Sequence, residues 1–248
     1  MSPRFPPARP HGELREIFDD VFFVTGTVEM AGPLPMRFSR NMTVIRSGRS
    51  LCLVNSVRLD DAGLEALTAL GDVDHVVRLA GFHGMDDPFY QDRFKAKVWA
   101  IEGQTYATGF ANQNPDPKTY FSPDAWLTAD GELPIDGARL QLFPSARVPE
   151  GLLHLDREGG IVIAGDALQN WAAPDEYFSL PARLMMRLMG FFKPLNVGPG
   201  WLRGARPGRD DLRAILDTPF EHVLPSHGAP VIGDARERYR PAVERATR

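Results

Sequence analysis

The sequence predicts an α+β chain in which two β-sheets pack face to face under outer helices. Two observations carry this expectation: strand-type runs gather in two stretches, over residues 21–101 and 139–164, and helical patterns punctuate the first and follow the second. A third concerns placement. Three hydrophobic runs each end in a short polar segment holding His or Asp, as scaffold strands do when they deliver side chains to one edge.

Taken in order, Val21 to Val28 and Met42 to Ile45 are rich in β-branched and aromatic residues, and Ser50 to Val54 follows the turn Ser47-Gly48-Arg49. Asp60-Asp61 reads as a helix start, Leu64, Leu67 and Leu70 share one face, and Gly71 is the stop. Asp74 to Leu79 reads as a strand, Pro88 to Phe94 as a short helix opened by its proline, and Lys97 to Ile101 as a further strand. Glu102 to Gly137, dense in Pro, Asp, Asn and Thr, is expected to be loop that borders a site. Arg139 to Phe143, Gly151 to Leu155 and Gly160 to Ala164 read as strands. Helices are expected over Leu180 to Phe192, Asp210 to Leu216 and Asp234 to Ala246, with a strand at His222 to Leu224. No repeat recurs at a fixed period.

The bulk numbers favour one domain spanning 1–248, with residues 1–12 as a flexible lead-in. Of 248 residues, 43% are hydrophobic and 24% charged, enough to bury a full core. Lys and Arg number 28 against 32 Asp and Glu, interspersed, so the basic block that nucleic-acid binding needs is missing. Cys52 is the one cysteine. It cannot form an intramolecular disulfide or a CxxC site, and a cytoplasmic location is the expectation. Residues 1–10 have no apolar run and do not read as a signal peptide. Leu180 to Phe192, interrupted by Arg183 and Arg187, falls short of the roughly 20 apolar residues of a membrane span.

The polar strand-end segments are His83-Gly84-Met85-Asp86-Asp87, then Asp166 after Ile161 to Ala164, then His227 after Val223-Leu224. Two imidazoles and two carboxylates suit Zn²⁺, Fe or Mn²⁺. Asp and His are also common turn formers and caps, so recurrence at three strand ends is what favours ligands.

This order of motifs resembles the metallo-β-lactamase superfamily from about Val21 onward. The strongest matches are Ile161-Val-Ile-Ala-Gly-Asp166-Ala-Leu and Val223-Leu-Pro-Ser-His227-Gly. The resemblance implies a four-layer αββα sandwich and metal-dependent hydrolysis, with His83, Asp87, Asp166 and His227 as metal ligands and Asp87 and Asp166 as catalytic groups. The departures define a degenerate site. The family loop His-x-His-x-Asp-His becomes His83-Gly-Met85-Asp-Asp87-Pro88, and Arg147, or Ala146 with a one-residue slip, stands where a Gly-His-Thr-Pro-Gly loop carries another histidine. Many relatives end the strand before the first helix in a supporting aspartate, whereas here Val54 runs into Asn55-Ser56.

Two functions follow. One is a single-metal hydrolase of an ester, thioester or similar small substrate, using one zinc, iron or manganese ion. The other is a non-catalytic protein of the same fold, its site empty or filled by the Arg147 guanidinium, that binds a ligand or protein. His154 on its strand and Cys52 are read as packing residues. The Met-rich helix Leu180 to Phe192 is read as core, with a lid or a homodimer surface as alternatives. Lys193 to Gly208 is read as a loop able to meet an anionic substrate.

Overall fold

The computed structural model describes residues 5–105 and 123–248. Strand β1 (Arg15–Phe18) leads into β2 (Val21–Met30), β3 (Met36–Ser47) and β4 (Ser50–Val54), which pair antiparallel. Helix α1 (Asp61–Leu70) then crosses to β5 (Asp72–Arg78), and α2 (Asp87–Phe94) to β6 (Lys97–Ile101). β4, β5, β6 and β7 (Ala125–Leu127) run parallel, so the first sheet follows chain order from β1 to β7. The second sheet joins β8 (Ala138–Leu142), β9 (Gly151–Leu155), β10 (Ile161–Ala164) and β13 (His222–Pro225), in the order β13-β10-β9-β8. Between β10 and β13 lie a small ribbon of β11 (Leu168–Gln169) and β12 (Asn196–Val197), and helices α3 (Leu180–Leu188), α4 (Pro199–Gly204) and α5 (Arg209–Ala214). Helix α6 (Ala235–Ala246) ends the fold.

Period-two alternation builds the layers. In β2, Val21 and Phe23 face the space between the sheets, while Phe22 and Val24 face the outer helices. In β10, Ile161 and Ile163 face inward, and Val162 and Ala164 pack against Trp201, Leu212 and Tyr239 on the far side. Both sheets are therefore covered twice, giving four layers in the order αββα. Buried Leu, Ile and Phe side chains contribute about 1.5–3 kcal/mol each, so truncations on these strands are costly.

Sequence expectations and structure differ mainly at short elements. β1, β7, β11, β12 and α4 are too short to show a period. Lys193 to Gly208, expected as open loop, instead carries β12 and α4 and buries Trp201. Helix α3 stops at Leu188; Gly190 takes φ +75°, and Phe191 and Phe192 turn back against Trp171. Its methionines point inward, with Met186 buried, while Leu180, Leu184 and Leu188 are exposed. The methionine face of this helix is thus core, as expected, while its apolar outer surface lies on leucines.

Of the expected lead-in, residues 5–12 are pinned: Phe5 packs edge-on to Phe89, Arg9 pairs with Glu29 at 2.7 Å, and Gly12 donates to the Thr25 carbonyl. Much of the expected middle loop, residues 106–122, lies outside the described residues. Among the described residues, no helix is long and apolar enough to cross a membrane.

Candidate metal centre

The site is a product of strand register. β10 and β13 run parallel with Ala164 opposite Pro225, so Asp166 and His227, each two residues further on, emerge side by side. The end of β5 reaches the same edge: Ala80 bridges to Glu150, and Gly151 donates to the Leu79 carbonyl at 3.2 Å, which joins the first sheet to the second. His83 follows three residues later. The outcome is one buried cluster in which His83, Asp166 and His227 each offer a ligand atom within 4.8 Å of the others.

Within it, His227 Nε2 lies 3.1 Å from Asp166 Oδ1, and His83 Nε2 lies 3.4 Å from Asp166 Oδ2. The second contact does not complete a hydrogen bond, and His83 Nδ1 is buried without a partner among the described residues. His227 Nδ1 faces the Ser39 carbonyl at 3.2 Å, a contact that orients the ring with Nε2 toward Asp166. Trp171 covers the His227 ring at 4.6 Å. Burial lowers the basicity of His83, with Asp166 opposing. Burial also works against ionisation of Asp166, but the two imidazoles outweigh it and hold this carboxyl well below the usual range. Glu150 is shifted the opposite way, by burial first and the Asp166 charge second, while its Oε1 accepts from the Ala167 N–H at 2.5 Å.

Asp87, expected among the ligands, stands apart from this cluster. It is fully buried at the start of α2, where its Oδ1 accepts from Ser56 Oγ at 2.6 Å. Burial raises its pKa, and the nearby Arg78 charge opposes that rise. Pro88 starts the helix at this point, and Gly84 at φ +91° lets the loop fold tightly, since a Cβ there would meet Arg78 and Asp87 Oδ2. Arg147 is likewise elsewhere. Its side chain is exposed and its backbone N–H donates to the Ala205 carbonyl. The guanidinium at the site is that of Arg40, on β3. It is 1% exposed, donates to the Ser56 carbonyl at 3.0 Å, and pairs with Asp86.

The supports come from residues without a motif. Asn41 binds the His227 loop through its own N–H to Ser226 and through Nδ2 to the Pro225 and Gly228 carbonyls at 2.8 and 2.7 Å. Asn55 donates to Ser226 Oγ at 2.8 Å and accepts from the Leu79 N–H at 3.0 Å. It ties the ends of β4, β5 and β13 together. Gly228 at φ +90° allows the close approach of Asn170, whose N–H donates to the His227 carbonyl. His154 lies away from the cluster, against Gln141 at 2.9 Å, and Cys52 is buried with its thiol pKa pushed up by desolvation.

Two hollows meet here. A cavity of about 70 Å³ is lined by His83, Asp166 and His227 together with Arg40, Met85 and Phe38. A larger one, about 270 Å³, shares Asp166 and His227 and extends under α3.

No protein-family model matches the sequence, and no curated protein matches it either. Solved structures do. FIM-1, a metallo-β-lactamase from Pseudomonas aeruginosa crystallised in its mono-zinc form, is 15% identical, with 98% of each chain covered and a TM-score of 0.60. A metallo-β-lactamase from Hirschia baltica is 15% identical over 96% of this chain and 98% of its own, with a TM-score of 0.58. The metallo-β-lactamase DIM-1 is 13% identical over 96% of this chain and 100% of its own, with a TM-score of 0.61. Nearly the whole chain therefore has the metallo-β-lactamase fold.

Proposed function

We propose that the chain is a metal-dependent hydrolase working with one divalent ion, zinc, iron or manganese, on an ester, thioester or similar small substrate. The observation that carries the reading is the convergence of two imidazoles and one carboxylate, His83, His227 and Asp166, within 4.8 Å. That donor set, with room left for water, is one that zinc hydrolases and non-haem iron centres use. When bound, such an ion supplies Lewis acidity and brings the pKa of a water ligand to about 7.

The chain's own groups fit this use. Asp166 is half-buried and held ionised, and its Oδ2 is buried with no hydrogen bond among the described residues. Ser39 and Trp171 fix the His227 ring. Arg40 lines the small cavity, and its guanidinium sets a positive charge beside it that favours a substrate oxygen as negative charge develops. Its charge is already balanced by Asp86, which argues against the metal-free alternative, because Asp166 is left without a guanidinium of its own. The mono-zinc form of FIM-1 supports a one-ion centre in this fold.

The test is hydrolysis of p-nitrophenyl acetate and butyrate by protein stripped with chelator and then given zinc, iron or manganese. The reading expects activity that returns with one equivalent of metal and is lost in Asp166→Ala. Metal-restored protein without activity above Asp166→Ala on esters and thioesters alike would overturn it.

A further inference from the structure

We infer that the substrate carries an unbranched apolar tail of medium length, seated under α3. The inference rests on the hydrolase reading for the substrate's head group but not for the binding of its tail.

The 270 Å³ cavity is walled by Met185, Met186, Met189, Phe191, Trp171 and Trp201. Polar groups enter only at Asp166, His227 and Gln169, and Gln169 is engaged with the Phe191 carbonyl at 2.9 Å. Asp166 and His227 also line the small cavity that holds His83 and Arg40. The combined volume is thus amphiphilic: a polar head belongs at the ligand cluster, and an apolar chain continues from it under the methionines. Small-molecule sites are hollows of this order of size, lined mainly by apolar side chains with a few polar groups. Met30 and Met189, each 39% exposed, mark where it opens.

Capacity sets the length. At roughly 30 Å³ per heavy atom, the volume share of a liquid water molecule, 270 Å³ holds about nine heavy atoms. Methionine side chains, unbranched and with several rotatable bonds, adapt to a flexible chain better than to a rigid ring system.

The full-length chain is titrated with 1-butanol, 1-octanol and 1-dodecanol while tryptophan fluorescence is followed, because Trp171 and Trp201 line the cavity. Octanol is expected to saturate and to bind on the order of a hundredfold more tightly than butanol, since each buried methylene contributes about fourfold. Dodecanol gains nothing further. Met185→Trp, at a half-buried wall position, is expected to weaken octanol at least tenfold with an unchanged melting temperature. Octanol binding without saturation, affinity that keeps rising to dodecanol, or a folded Met185→Trp that binds octanol like the parent would each overturn the inference. If octanol binds as expected but metal-loaded protein leaves p-nitrophenyl octanoate intact, the tail site stands and the hydrolase reading fails. If p-nitrophenyl acetate is hydrolysed and octanol does not bind, only the tail inference fails.

Discussion

Arg40 and Asp86 form a buried ion pair at the edge of the ligand cluster, with Asp86 Oδ2 also accepting from the Arg58 N–H at 2.7 Å. Both side chains are less than a tenth exposed. Removing one partner therefore strands a charge out of water, at a typical cost of about 3–5 kcal/mol. Arg40→Met is expected to lower stability by that amount in urea denaturation. The double variant Arg40→Met/Asp86→Leu is expected to recover at least half of the loss, and full additivity of the two single effects would show that the pair is not coupled.

Arg147, by contrast, touches the site with nothing. Arg147→Ala and Arg147→His are expected to stay within about 0.5 kcal/mol of the parent in stability, the usual range of surface changes, and to leave zinc affinity unchanged. Zinc titration of both variants checks this; tighter binding by Arg147→His would place that side chain at the cluster after all.

Asp87 separates support from ligation. Asp87→Asn keeps the size of the side chain and an oxygen for Ser56, so zinc affinity is expected to fall by no more than about tenfold, the low end for a supporting residue. His83→Ala removes a proposed ligand and is expected to weaken zinc at least a hundredfold. Competition with a chromogenic chelator measures both. Equal losses from the two variants would put Asp87 among the ligands.

His154 gives a pH dependence whose sign is fixed. Burial, with Arg139 adding to it, lowers its pKa to about 4, against about 6.5 in an unfolded chain. Between these values the unfolded chain holds a proton that the folded chain does not, so the stability present above pH 6.5 falls as pH drops toward 4. At pH 5 the loss amounts to about 2 kcal/mol. His154→Gln is expected to lose about that much less than the parent between pH 7.5 and pH 5.0. Parallel pH profiles of parent and variant would contradict this.

The sandwich was legible in the sequence where strands are apolar and buried on both faces, as in Val21 to Val24 and Ile161 to Ala164, because apolar content and turn residues bound them clearly. Asp166, His227 and His83 were legible because each follows such a strand. The roles of Arg40, Asn41 and Asn55 were not, since each depends on pairing over long separations: Asn41 meets Pro225, and Asn55 meets Ser226. One signal was present: three consecutive polar residues, Ser39, Arg40 and Asn41, stand between Phe38 and Met42 in β3. Arg147 illustrates the reverse error. Its position matched a ligand histidine in the motif, but the backbone there bonds to Ala205 at the end of α4 and leaves the guanidinium in solvent.

Metal analysis of protein purified without added ions, followed by zinc titration of the chelator-stripped sample, asks whether His83, Asp166 and His227 hold one metal ion. One equivalent of zinc bound per chain, lost in Asp166→Ala, is the expected result. A stripped protein that takes up no zinc, or an Asp166→Ala variant that binds it as the parent does, would contradict it.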